Sequence, residues 1–98
     1  MNLFDDSYKS SQEEVMDILC ESENVRIEKI ISTGQVSDSW YDQDENEWVS
    51  VIEGSGKLLF EDREITLNKG DSILIKAHEK HKVNFTSDPC IWLCVFYK

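Results

Sequence analysis

Two carboxylates and one imidazole, Asp42, Glu47 and His81, are the side chains of this sequence best suited to hold a metal ion. Such oxygen and nitrogen ligands suit Fe(II), Mn(II), Ni(II) or Zn(II), with open positions left for water or substrate. Glu47 and His81 each begin a predicted strand and Asp42 lies near the end of another, so a rolled-up sheet would bring all three together. His78 is a weaker candidate, because a spacing of three residues from His81 is wrong for one face of a strand.

A metal-free interpretation of the same residues stays open. Asp42 and Glu47 would then lie in a water-filled mouth, and His81 would form a hydrogen bond with one of them. Carboxylates that lack a cation are costly to bury, which favours either a bound metal or an exposed mouth.

Three further residues are expected to line the same pocket. Trp40 and Asp42 lie two residues apart, and Val49 and Val51 follow Glu47 at the same spacing. Residues spaced by two share one face of a strand, so all of these side chains are predicted to face the pocket. Trp40 could stack there on a flat or sugar-like ligand.

A helix is predicted near the start of the chain, and strands after it. Ser11 followed by Glu14 forms a capping box. Three apolar residues then recur at helical spacing, Val15, Ile18 and Leu19. From residue 25 onward about eight short strands are predicted, at residues 25–32, 39–43, 48–53, 57–61, 64–67, 72–76, 81–86 and 90–97. We therefore expect an N-terminal segment, residues 1–24, and an all-β barrel or sandwich, residues 25–98.

The composition excludes several classes of partner. A net charge of -10 on 98 residues repels phosphate backbones and anionic lipid, so neither nucleic acid nor a membrane is an expected partner. The three cysteines have no regular spacing, which argues against a disulfide framework, and Cys90 and Cys94 in an apolar run are predicted to be buried free thiols. The start of the chain lacks the pattern of a signal peptide, and together these features predict a cytoplasmic protein.

Two segments framed by glycines resemble the motifs of the cupin family. From Gly34 to Gly54 the chain has the spacing of the first motif: a glycine, five residues, two ligand positions one residue apart, a glutamate, and a second glycine. From Gly70 to His81 it is similar to the second motif. The resemblance spans residues 25–98 and implies a double-stranded β-helix, or jelly-roll barrel, of the RmlC-like type.

The resemblance also implies a ligand set, from which this chain departs. Cupins that bind metal typically use three histidines and one glutamate. The matched positions here are Trp40, Asp42, Glu47 and His81. Tryptophan cannot bind a metal, and the family's proline and glycine are replaced by Lys76 and His78. The set therefore leaves metal binding open.

Three functions remain in competition at this point. The first is a barrel that binds a small organic molecule without catalysis. The second is a metal-dependent isomerase, dioxygenase, decarboxylase or lyase in which Asp42, Glu47 and His81 hold the ion and Glu47 or His78 moves a proton. The third is an interaction module. Residues 91–97 are apolar on both faces, which predicts a covering layer, and the resemblance to cupins implies a homodimer.

Overall fold

The computed structural model describes residues 1–5 and 13–98, in which every regular element is a β-strand. The strands are β1 (Val15–Glu21), β2 (Val25–Ser32), β3 (Asn46–Glu53), β4 (Ser55–Phe60), β5 (Glu64–Asn68), β6 (Ser72–Ile75), β7 (His81–Thr86) and β8 (Cys90–Tyr97). All pairs are antiparallel, in a five-stranded sheet of order β1-β2-β8-β3-β6 and a three-stranded sheet of order β5-β4-β7. The prediction of an all-β fold is confirmed.

The core lies between the two sheets and follows the two-residue period of the strands. On β8, the side chains of Trp92, Cys94 and Phe96 point inward, where Val49 of β3 and Leu58 of β4 meet them. Each of these five residues is at most 8% exposed. Burying such apolar side chains supplies the main driving force for closing the sheets on each other.

The last strand, β8, lies in the middle of the five-stranded sheet between β2 and β3. This position explains why its sequence is apolar on both faces. Ile91 is buried on the outer face, whereas Leu93, Val95 and Tyr97 are half-buried there. Part of the outer face of the neighbouring β2 contacts the chain's own start, because Lys29 Nζ donates a hydrogen bond to the Asp5 carbonyl oxygen at 2.9 Å. The homodimer stays a prediction.

The predicted N-terminal helix is wrong over the residues that the structure describes. Ser11 lies outside them, and the residues after Glu14 form strand β1, which pairs with β2. A spacing of four residues fits a strand as well as a helix, and the half-buried residues of β1 are Val15 and Leu19. Ile18, which the helix would have buried, is 56% exposed. Hydrogen bonding to a sheet edge therefore overrides the local helical signal.

The predicted strand at residues 39–43 is also wrong. This segment makes only an isolated bridge, in which the Tyr41 and His81 backbones exchange hydrogen bonds of 2.7 and 3.2 Å. The remaining predicted strands of the barrel agree with observed ones to within two residues at each end. None of the described residues forms a helix that is long and apolar enough to cross a bilayer.

Candidate functional site

A cavity of about 380 Å³ lies inside the barrel, between the two sheets. Its apolar walls come from both sheets and include Ile30, Val49, Leu58, Trp92 and Phe96. Polar side chains enter from the strand ends and from the segment before β3. Apolar walls with a few convergent polar groups are typical of pockets for small organic molecules.

The Glu47 carboxylate and the His81 imidazole meet in this cavity. Glu47 is the second residue of β3 and His81 the first residue of β7, and Glu47 Oε1 lies 3.7 Å from His81 Nε2. Both residues are buried, with exposures of 8% and 3%. His81 Nδ1 lies 2.9 Å from the Glu79 carbonyl oxygen. A carbonyl can only accept, so Nδ1 carries a proton and Nε2 faces Glu47.

The environment of His81 favours its charged form. Burial lowers the pKa of His81, but the interaction with the Glu47 carboxylate, the Glu79 carbonyl and the negative charges of both glutamates raise it, and the net direction is upward. Because the pKa of His81 is raised in the folded protein, its interaction with Glu47 stabilises the fold, and this contribution is complete when the pH is below the pKa of histidine in the unfolded chain. That contribution is lost as the pH rises through the pKa of His81 in the folded state.

Gln43 and Tyr41 complete the polar end of the cavity. Gln43 Nε2 donates a hydrogen bond to Glu47 Oε1 at 3.1 Å, and the Tyr41 ring lies 5.6 Å from the His81 ring, centroid to centroid. Neither residue was predicted from the sequence to line the pocket. Reading the first motif with six residues after Gly34 instead of five would have found them, because it places Tyr41 and Gln43 at the paired positions.

Trp40 and Asp42 lie outside the cavity, on the opposite side of their segment. Trp40 is 42% exposed, and Lys82 Nζ lies 4.8 Å from the centroid of its ring. The Asp42 carboxylate contacts His78 Nδ1 at 2.8 Å, and both of these side chains are exposed. The structure thus brings Glu47 and His81 together and leaves Asp42 and His78 as a separate pair on the surface.

Of the two valines predicted to line the pocket, only one does. Val49 lines the cavity beside Glu47. Val51 faces the same way but is fully buried in the core, so its side chain does not line the cavity. The reason is depth along β3: two residues further from the mouth, Val51 pairs with Trp92, which is buried in the same core.

The residues at this site do not fit the transition metal that the cupin resemblance implies. Protein sites for catalytic zinc usually offer three ligating side chains. Within residues 1–5 and 13–98, no group of three or more His, Cys, Asp or Glu is placed to hold an ion. Gln43 turns its amide nitrogen, a donor, toward Glu47, so it does not supply the missing ligand.

An internal ion-pair cluster occupies another side of the cavity. Arg26 Nε donates to the Glu28 carboxylate, and the two terminal nitrogens of Arg26 lie 3.1 and 3.2 Å from the Glu45 carboxylate oxygens. The guanidinium carbon lies 4.4 Å from the centroid of the Phe96 ring. The hydrogen bond to Glu28 raises the pKa of Arg26 against the opposing effect of burial. Arg26 therefore stays charged, and its charge is paired with the carboxylates of Glu28 and Glu45.

The buried thiols near the cavity are unsuited to nucleophilic chemistry. Burial raises the pKa of Cys90 to about 12 and raises that of Cys94 well above its ordinary range. The thiolate is the reactive form of cysteine, so neither residue is a nucleophile near neutral pH. Their role is packing between the sheets.

Comparison with known proteins identifies the fold and the family. Residues 28–96 match the cupin domain family. The crystal structure of a "putative mannose-6-phosphate isomerase" from Ralstonia eutropha JMP134 superposes with a TM-score of 0.94 at 35% identity, covering 100% of this chain and 96% of the other.

More distant structures share the same barrel. An RmlC-like cupin with a double-stranded β-helix fold from Methanocaldococcus jannaschii has a TM-score of 0.76 at 20% identity, over 91% of this chain and 84% of the other. KdgF from Halomonas sp. has a TM-score of 0.79 at 13% identity, over 90% and 82%. A search of curated protein sequences finds no significant match. The match over residues 28–96 and the 35%-identical relative place this chain in the cupin domain family, as a double-stranded β-helix barrel.

Proposed function

We propose that this cupin binds a small organic molecule in the barrel cavity, with Glu47 and His81 as its polar anchor. The observation that carries the proposal is the placement of this buried pair in a cavity of about 380 Å³ that also has apolar walls, among them Val49, Leu58 and Trp92. That volume lies within the range of about 300–1,000 Å³ in which proteins hold small ligands. A polar head group would meet the Glu47–His81 pair, and an apolar body would contact these walls.

The metal-dependent enzyme has less support. It needs Asp42 beside Glu47 and His81, but the Asp42 carboxylate contacts His78 on the surface instead. Glu47 and His81 alone supply one carboxylate and one imidazole, fewer than the three side chains of a typical catalytic site. Binding of an organic molecule needs only the two groups that do meet.

A phosphorylated sugar, the substrate that the name of the Ralstonia relative indicates, also has little support. A phosphate requires positive charge in its pocket that carboxylates have not already neutralised. Arg26 directs its guanidinium to Glu28 and Glu45, and His81 faces Glu47.

We also propose a cytoplasmic location, which is supported by the three free thiols, because such thiols persist in a reducing compartment.

Filling the cavity tests this function. Val83 of β7 lines the cavity and is half-buried, so Val83→Phe places a ring in the binding space. The matched control is Val95→Phe, the same change on the outer face of β8. A panel of small organic fragments is screened by NMR against all three proteins, with backbone amides as the reporter.

We expect fragments to shift the amide signals around Glu47, Val49 and His81 in the wild type and in Val95→Phe. Val83→Phe is expected to lose these shifts while keeping the dispersed spectrum of a folded protein. Fragment-induced shifts that survive in Val83→Phe, or that map to the outer faces of the sheets, would refute binding inside the barrel.

A further inference from the structure

The charge balance of the cavity identifies the class of ligand. Four carboxylate side chains line it, those of Glu14, Glu28, Glu45 and Glu47. Among the described lining residues, only Arg26 and His81 can carry a positive charge. Even with both of them charged, the lining has more negative than positive groups. Unbalanced negative charge attracts a cation and repels an anion.

The cavity already holds an organic cation that belongs to the chain itself. The guanidinium of Arg26 lies between the carboxylates of Glu28 and Glu45 and above the ring of Phe96. This is the environment in which proteins bind ammonium and guanidinium ligands: charged acceptors at the edge and an aromatic face below. Carboxylates and an aromatic ring of this cavity thus already hold an organic cation in place.

Glu47 offers a second position of the same kind across β8 from Arg26, since Phe96 pairs with Arg26 of β2 and with Glu47 of β3. Glu47 is nine-tenths buried there, with the rings of Tyr41, Trp92 and Phe96 among the lining residues. Its carboxylate faces Gln43 and His81 and also takes a hydrogen bond from the Cys94 thiol. An ionised carboxylate can accept about four hydrogen bonds, so one further donor can still be accommodated. A protonated amine on an apolar body would place its charge at Glu47 and its body against the rings.

From these observations we infer that the ligand is a small organic cation, a primary amine with an apolar body, and that the cavity rejects anionic molecules of the same size. This inference rests on the proposed function, since it concerns the same cavity. It adds the sign of the ligand's charge and assigns Glu47 as the residue that selects it.

Three probes with one shape and different charges test the inference: benzylamine, benzyl alcohol and benzoate. Each is titrated by NMR into the wild type at neutral pH. Benzylamine is expected to bind about tenfold or more tightly than benzyl alcohol, because both can donate a hydrogen bond to the Glu47 carboxylate but only the ammonium adds the attraction of an opposite charge. Benzoate is expected to cause no shift of the cavity amides.

Glu47→Gln supplies the second arm, since it removes the charge and keeps the shape. It is expected to reduce the preference for benzylamine over the alcohol about tenfold. The matched control is Glu23→Gln, which makes the same change of net charge in the exposed turn before β2 and should keep the preference.

The outcomes separate the two proposals. Binding of the alcohol or of benzoate as tightly as the amine would overturn the inference about charge and leave binding in the barrel intact. A preference for the amine that Glu47→Gln does not change would overturn the assignment of Glu47. The proposed function itself would be overturned by two results together: none of the three probes shifts the cavity amides, and the other fragments give the same shifts in Val83→Phe as in the wild type.

Discussion

Replacing Gly54 by alanine is expected to lower the free energy of unfolding by about 2–5 kcal/mol, through backbone strain and overpacking together. Gly54 joins β3 to β4 with a φ of +78°, where a side chain is unfavourable. An added Cβ would lie 2.2 Å from the Pro89 carbonyl oxygen and 2.3 Å from Ser87 Oγ. The first of these is backbone, so the clash cannot be relieved by a side-chain rotation.

The control for this prediction is Gly70→Ala. Gly70 has a φ of +91°, but a Cβ added there would meet no atom within 4 Å. The change should therefore cost only the strain of the left-handed backbone, about 1–2 kcal/mol. Urea unfolding of the two variants measures both costs. Equal losses of stability would show that residues 87–90 do not lie close enough to Gly54 to clash with an added Cβ.

Replacing Phe60 by alanine is expected to cost about 3–5 kcal/mol, the range found when a large buried aromatic side chain is truncated. Phe60 ends β4 and is 2% exposed. Its ring lies 6.0 Å from the His81 ring, and the Arg63 guanidinium covers it at 4.2 Å. Truncation would leave a void directly beside the imidazole.

The matched control is Phe85→Ala, the same change at a residue of β7 that is 44% exposed. A substitution at such a surface position should change the stability by less than about 1 kcal/mol. Both variants are compared by urea unfolding. If Phe60→Ala were no more destabilising than Phe85→Ala, the Phe60 ring could not be buried beside His81.

The barrel strands could be predicted from the sequence because each is short, apolar and bounded by turn residues. Strands β2, β7 and β8 begin and end where expected, since polar or turn-forming residues flank each of them. The first strand was missed for a physical reason. Val15 and Leu19 are four residues apart, a spacing shared by helices and strands, and only the pairing with β2 decides between them.

The candidate site could be predicted in part. Glu47 and His81 lie at the starts of regular strands, so their inward direction follows from the two-residue period. The segment before β3 has no such period. Long-range backbone hydrogen bonds fix which of its side chains face the cavity: the bridge between Tyr41 and His81, and the bond from the His78 N–H to the Gln43 carbonyl oxygen. They turn Tyr41 and Gln43 inward rather than Trp40 and Asp42. A long-range contact of this kind leaves no pattern in the local sequence.

The central claim is that the Glu47 carboxylate and the His81 imidazole face each other inside the barrel. The chain has two histidines, so Asn in place of His78 leaves His81 as the only imidazole to follow by NMR. In this background the pKa of His81 should lie above its ordinary value of 6.5. Glu47→Gln should lower it, because the substitution removes the Glu47 contributions that raise the pKa, while burial still disfavours the charged form.

Titration of His81 with and without the Glu47 charge is therefore the most direct test, and Glu23→Gln again serves as the control for net charge. The pKa of His81 is expected to be raised in the His78→Asn background, to fall on Glu47→Gln and to stay unchanged on Glu23→Gln. A pKa of His81 that does not change when the Glu47 carboxylate is lost would show that the two side chains do not face each other.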